Sequence, residues 1–230
     1  MDRSVAVLSE DEVVDRLTRH LRNWLGAWPP EGEVTVVASP LRTQPTWDGA
    51  VRPLAGVSTP DGTVLSVAPD RLDAVRAAGS GLDEVLEALP EALGRPRGVV
   101  GRGVYRYSTS PLQVDDVGEW LPADSPDVPA WLHPFGGRVL VVREEGRYAA
   151  GLGIKRHDDL GHEVAVATEE EWRGRGLARM LVARAATAIL RDGRVPIYLH
   201  GRANAASAHV ADAAGFPDRS WFVLGLPTAT

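Results

Sequence analysis

Arg173-Gly174-Arg175-Gly176 stands directly ahead of an apolar run, Leu177, Leu181, Ala185 and Ile189, spaced along one helical face. The first turn of a helix carries N–H groups with no acceptor and a partial positive charge, which together make an anion site. Glycines at 174 and 176 remove side chains and let main chain approach a ligand. Arg173 and Arg175 add charge-assisted hydrogen bonds, and a diphosphate is the natural occupant. The loop is not a Walker A sequence, because no Gly-Lys-Ser/Thr closes it. It is not a dinucleotide fingerprint either: the third glycine is missing and the preceding strands read as hairpins. Taken alone, these four residues also fit a solvated helix start.

The flanking pattern supplies the elements that must hold this loop. Arg138–Arg143 reads as a strand, Glu144–Arg147 as a turn, Tyr148–Lys155 as a second strand, His157–Gly161 as a turn and His162–Thr168 as a third strand. The spacing predicts a helix over 177–191, a strand over Ile197–His200, a helix over 204–214 and a last strand over Trp221–Leu226. Upstream, Ser9 followed by Glu10, Asp11 and Glu12 caps a helix over 10–25, which Pro29-Pro30 ends. Strands are expected over Glu33–Ser39, Thr63–Val67 and Val99–Ser108, with short helices over 70–78 and 81–93. Short helices around Trp120 and Trp131 are expected within 111–137. Gly94-Arg95-Pro96-Arg97-Gly98 marks a boundary, giving an N-terminal α/β domain over 1–97, without an assigned role, and a second domain over 98–230.

The chain has 230 residues, 44% hydrophobic and 24% charged, enough to bury one large core or two small ones. It contains no cysteine, which excludes disulfides, thiolate nucleophiles and cysteine-ligated zinc, and fits a cytoplasmic protein. A net charge of −6 argues against a general nucleic-acid binder. No apolar run is long enough to span a bilayer, so no membrane role is expected, and the acidic start of the chain does not read as a signal peptide.

Arg173-x-x-Gly176-x-Ala178 resembles the (Gln/Arg)-x-x-Gly-x-(Gly/Ala) motif of the GNAT superfamily, the acyl-CoA-dependent N-acyltransferases. AVATEEEWRGRGLARMLVARAATAIL is similar to that family's fourth strand, pyrophosphate loop and third helix, and Asn204-Ala-Ala-Ser207 through Gly215-Phe216 to its later segment. The resemblance is specific over 138–226. It implies a mixed α/β fold, GNAT-like in the C-terminal half, with an additional N-terminal α/β domain that either covers the acceptor cleft or is a diverged copy. It further implies acetyl-CoA as cosubstrate, with no metal, and transfer of the acetyl group to an amine of a small molecule or peptide. By position, Val166, Ala167 and Thr168 would pair with the pantetheine arm. Arg173, Gly174, Arg175, Gly176, Leu177 and Ala178 would hold the pyrophosphate, and Asn204 and Ser207 the pantetheine or phosphate end. Asn204 also fits a helix N-cap, and Ser207 a packing residue.

An amine is mostly protonated at neutral pH, so a base or a water chain must take its proton. The resemblance points to Glu163 as the base, with His162 as its rival; period-two alternation sends the two to opposite faces. The family's usual tyrosine acid falls at Ala211 here, which leaves open the proton source for the departing thiolate. His209 would point elsewhere, and Tyr198 reads as a packing residue. His157, Asp158, Asp159 and His162 read as a solvated turn rather than a metal site. Trp24, Trp28 and Trp47 read as core or interface residues, and no Gly-x-Ser-x-Gly nucleophile pattern is present. A donor with a longer acyl chain, and a non-catalytic CoA-binding sensor, stay open, as does homodimer formation.

Overall fold

The computed structural model describes residues 8–226; the outer ends of both expected domains, and the first part of the acidic N-terminus, lie outside the described residues. In chain order the elements are α1 (Glu10–Leu25), β1 (Val34–Ala38), β2 (Leu54–Thr59), β3 (Gly62–Val67), α2 (Leu72–Arg76), α3 (Leu82–Ala92) and β4 (Gly101–Tyr107). Then come β5 (Glu119–Pro122), β6 (Arg138–Glu144), β7 (Arg147–Arg156), β8 (Gly161–Thr168), α4 (Leu177–Arg191), β9 (Val195–Gly201), α5 (Ala205–Ala213) and β10 (Phe222–Gly225). The fold is mixed α/β. α1 opens as its sequence implies: Glu12 accepts the Ser9 amide at 2.8 Å while Ser9 Oγ accepts the Glu12 amide at 3.3 Å.

Two elements differ from expectation. Residues around Trp120 form strand β5 rather than a helix, pairing Glu119 with Val141 and Pro122 with Arg138. β5 is the end strand of its sheet, where Pro122's missing N–H leaves no partner unmatched. Trp131 does sit in a short helix, the 3₁₀ turn Ala130–Phe135. β2 was not expected at all. Its Gly56 is there for close packing, because a Cβ would lie 2.9 Å from Leu65 Cδ2.

The chain packs as two compact units, neither a contiguous half. One comprises the residues up to Leu17, Arg106–Leu199 and Asn204–Pro217; the other comprises Thr18–Tyr105, His200–Ala203 and the residues from Asp218 onward. The boundary expected near residue 97 falls inside the second unit. That unit orders its strands β1-β3-β2-β10-β4, with β1 and β3 parallel, and closes a core of Leu65, Val67, Val85, Leu89 and Leu224.

The first unit orders its strands β9-β8-β7-β6-β5, with only β8 and β9 parallel. On one face, Leu152, Ile154 and Val164 meet Leu181, Ala185 and Ile189 of α4 and Phe216. These helix positions repeat at helical spacing, so burial of the apolar stripe fixes α4 against the sheet. On the other face the 3₁₀ turn lies directly on the two glycines of β7: a Cβ on Gly153 would stand 2.3 Å from Phe135 Cγ, and one on Gly151 2.8 Å from Leu132 Cδ1. Gly153→Ala therefore destabilises the protein by about 1–3 kcal/mol through overpacking, read as a lower urea midpoint. Adding Phe135→Ala in the same chain should recover most of that loss; a fully additive double variant would contradict the contact.

Candidate functional site

β8 and β9 run side by side only from Gly161↔Val195 to Val164↔Tyr198. β8 continues beyond that point, paired with β7 through Thr168↔Ala150. Its side facing β9 thus has no strand partner over 165–168, and main-chain groups there, apart from the Thr168 carbonyl that Arg173 takes, are open to an extended ligand.

The chain then turns through Glu170–Trp172 and Arg173 into α4. Gly174 and Gly176 both have φ of 78°, a left-handed conformation that glycine adopts without strain, and Gly176 is the N-cap of α4. The first helical bond runs from the Met180 amide to the Gly176 carbonyl at 3.1 Å. The amides of Leu177, Ala178 and Arg179 accordingly have no carbonyl one turn back. No acidic side chain occupies that turn. Arg175 lies over the buried Trp172 ring at 4.4 Å, with Arg147 at 5.5 Å, and Arg147 grips both carboxylate oxygens of Glu171 at 3.0 and 3.1 Å. Arg173 Nε donates to the Thr168 carbonyl at 3.3 Å.

These parts enclose a cavity of about 740 Å³. Val166, Ala167, Thr168, Arg173, Gly174, Arg175, Gly176, Leu177, Ala178, Asn204 and Ser207, scattered over forty positions in the sequence reading, all line it. Asn204 caps α5, its Oδ1 accepting the Ser207 amide at 3.0 Å. Two buried donors in the lining, Thr168 Oγ1 and Trp172 Nε1, have no hydrogen-bond partner among the described residues. Arginines, bare helical amides and orphaned donors together suit a ligand with phosphates and amide carbonyls.

Trp172, which nothing in the sequence singled out, lines the cavity, as do Tyr198, expected only to pack, and His209, expected to point elsewhere but brought to the lining by α5. The Tyr198 hydroxyl is 2.8 Å from Ser207 Oγ, and its ring packs on Phe216 at 5.7 Å between centroids. Burial raises the phenol's pKa, outweighing the opposing Ser207 bond and the Arg106 charge, so the group stays protonated at neutral pH. Period-two alternation places Tyr198 on the core face, and only the position of α5 brings Ser207 to its hydroxyl.

Glu163 and His162 have different neighbours. Glu163 is 4% exposed, with Oε1 on Lys155 Nζ at 2.5 Å and Oε2 on His157 Nε2 at 2.9 Å. Burial alone would raise its pKa, but the His157 bond and the Lys155 charge outweigh that and hold it below the ordinary carboxylate value. His162 instead packs toward Ala188 and Ile189 of α4 and lines a second cavity, away from the loop. Asp158 Oδ1 accepts the amides of Leu160 and Gly161 at 2.8 and 2.7 Å, closing the turn that joins β7 to β8. Among the described residues no group of three or more His, Asp or Glu stands ready for a metal, and no helix is long and apolar enough to cross a membrane.

Burial, with Arg194 and Arg156 adding to it, moves the His162 pKa down from 6.5 to about 4. The unfolded chain therefore takes up a proton that the folded chain refuses, and stability falls as pH drops from 6.5 toward 4. In His162→Gln this acid slope flattens in pH-dependent urea unfolding; an unchanged slope would place the titration elsewhere.

Residues 105–216 match the family model described as "Acetyltransferase (GNAT) family". No curated protein matches the sequence. Among solved structures, a GNAT-family protein from Novosphingobium aromaticivorans DSM 12444 is 28% identical over 57% of this chain and 66% of its own, with a TM-score of 0.48. The chain thus spans just under two thirds of that relative. An acetyltransferase from the GNAT family of Colwellia psychrerythraea is 12% identical, with 71% of this chain and 76% of that one covered and a TM-score of 0.50. A tandem GNAT protein from the clavulanic acid biosynthesis pathway is 14% identical over 96% of this chain and 98% of its own, with a TM-score of 0.44. With the diverging strands and the amide-lined loop in place, residues 105–216 carry a GNAT acetyltransferase domain.

Proposed function

We propose that this protein moves an acetyl group from acetyl-CoA to an amine of a small molecule by direct attack on the thioester. The observation that carries the reading is the single cavity in which the open side of β8, the Arg173–Gly176 loop and the start of α4 meet. In it, the amides of Leu177, Ala178 and Arg179, with Arg173 and Arg175, would hold the diphosphate. The main chain of Val166–Thr168 would pair with the pantetheine amides, and Asn204 and Ser207 would bound the arm.

Bound acetyl-CoA supplies an activated acyl carbon and a thiolate leaving group. Around it, an N–H of β8 stabilises charge developing on the carbonyl oxygen. Glu163, held ionised by Lys155 and His157 but outside the cavity lining, would receive the amine's proton by way of water, and His157 offers that proton a route onward at 2.9 Å. Tyr198, protonated at neutral pH and hydrogen-bonded to Ser207, gives a proton to the departing sulfur. It thereby fills the role left open by Ala211.

The engagement of both Glu163 oxygens favours a second reading, a domain that binds CoA without turning it over. Release of free thiol from acetyl-CoA across a panel of amines separates the two. Turnover with any amine supports transfer, while tight binding with no turnover on a broad panel supports the sensor.

Arg173→Glu and Gly176→Asp should each weaken acetyl-CoA binding by about 100-fold or more, measured by calorimetry, with melting temperature little changed. Tight binding retained in both would overturn the loop assignment. Tyr198→Phe should bind acetyl-CoA normally yet lose about 10- to 100-fold in kcat; undiminished turnover would remove the tyrosine from the chemistry.

A further inference from the structure

The cavity that His162 lines, about 670 Å³, lies at the far end of β8 and α4 from the loop and takes no part in the function proposed above. Its floor is His162 on β8, only 8% exposed, whose ring makes no hydrogen bond among the described residues. The ring lines the cavity, so its neutral donor and acceptor can exchange solvent for whatever enters. Arg194 adds a buried orphan: its Nε has no partner among the described residues, while its Nη1 is spent on the Asp192 carbonyl at 2.9 Å.

Charge and shape define what fits. Arg138, Arg156 and Arg194 reach the cavity, and Arg194 and Arg156 are the charges that oppose protonation of His162, so the potential at the floor is positive. Asp159 and Asp192 stand exposed on the lining, which brings its formal charge to balance with Asp158 and disfavours multiply charged anions such as phosphate. Trp120, Ile154 and Ile189 supply an apolar wall. We propose that this cavity is a second ligand site, separate from the acyl-transfer site, for a small monocarboxylate with an apolar body. The carboxylate would meet Arg194 Nε and the His162 ring, and the body would lie against Trp120.

Benzoate is the probe, with inorganic phosphate as the contrasting anion, read by NMR of the His162 ring resonances in the full chain. Benzoate should shift them saturably in the millimolar range, phosphate should not, and Arg194→Ala should weaken the benzoate effect about tenfold or more. His162→Leu should abolish binding while largely keeping the melting temperature at neutral pH, because it replaces a neutral, mostly buried ring with an apolar side chain. Acetyl-CoA binding, held by the other end of α4, serves as the check that each variant is folded. Absence of any benzoate shift, a stronger response to phosphate, or equal benzoate affinity in a folded Arg194→Ala variant would each overturn the proposal.

Discussion

Two parallel strands that stop pairing partway create a demand for partners. After Val164 and Tyr198, β8 goes on for four residues with one side of its main chain open. Buried main-chain groups are rarely left unsatisfied, so this divergence is sustained only where solvent or a ligand supplies the missing bonds. The loop after β8 has to cross above the opening, and α4 then starts with its free amides aimed at the same space. Cavity, free helical amides and extended edge follow from that one departure from regular pairing.

The loop is held ready rather than left slack. Trp172 is buried beneath Arg175, Arg147 near the same indole is tied to Glu171, and Arg173 is anchored on the Thr168 carbonyl. A guanidinium already ordered over an aromatic face surrenders little freedom when an anion arrives. The contribution of the helix end to such an anion is about 0.3–1 kcal/mol, up to about 2 when partly buried. Arginine geometry must therefore carry much of the remaining affinity.

Much of this was legible in the sequence, for local reasons. The period of α4, the Arg-Gly alternation and the Asn204 cap are each written within one turn or loop, and their elements begin and end where the pattern changes. The Lys155–Glu163 pair follows from the hairpin register once the turn at 157–161 is read. Non-local facts were not legible. β2 hides behind Pro53 and Gly56, residues that suggest a loop until Leu65 is known to press on the glycine. β5 is short and ends in proline, which only an edge position tolerates. Tyr198 gains its hydrogen bond from a helix nine residues on, and His162 owes its isolation to the far end of α4.

Pro122 closes the outermost strand of the GNAT domain's sheet, where a row of main-chain groups would otherwise invite another copy to zip alongside. A ring nitrogen without hydrogen cannot contribute a rung to such a ladder. Self-association by extending this sheet through β5 is consequently disfavoured.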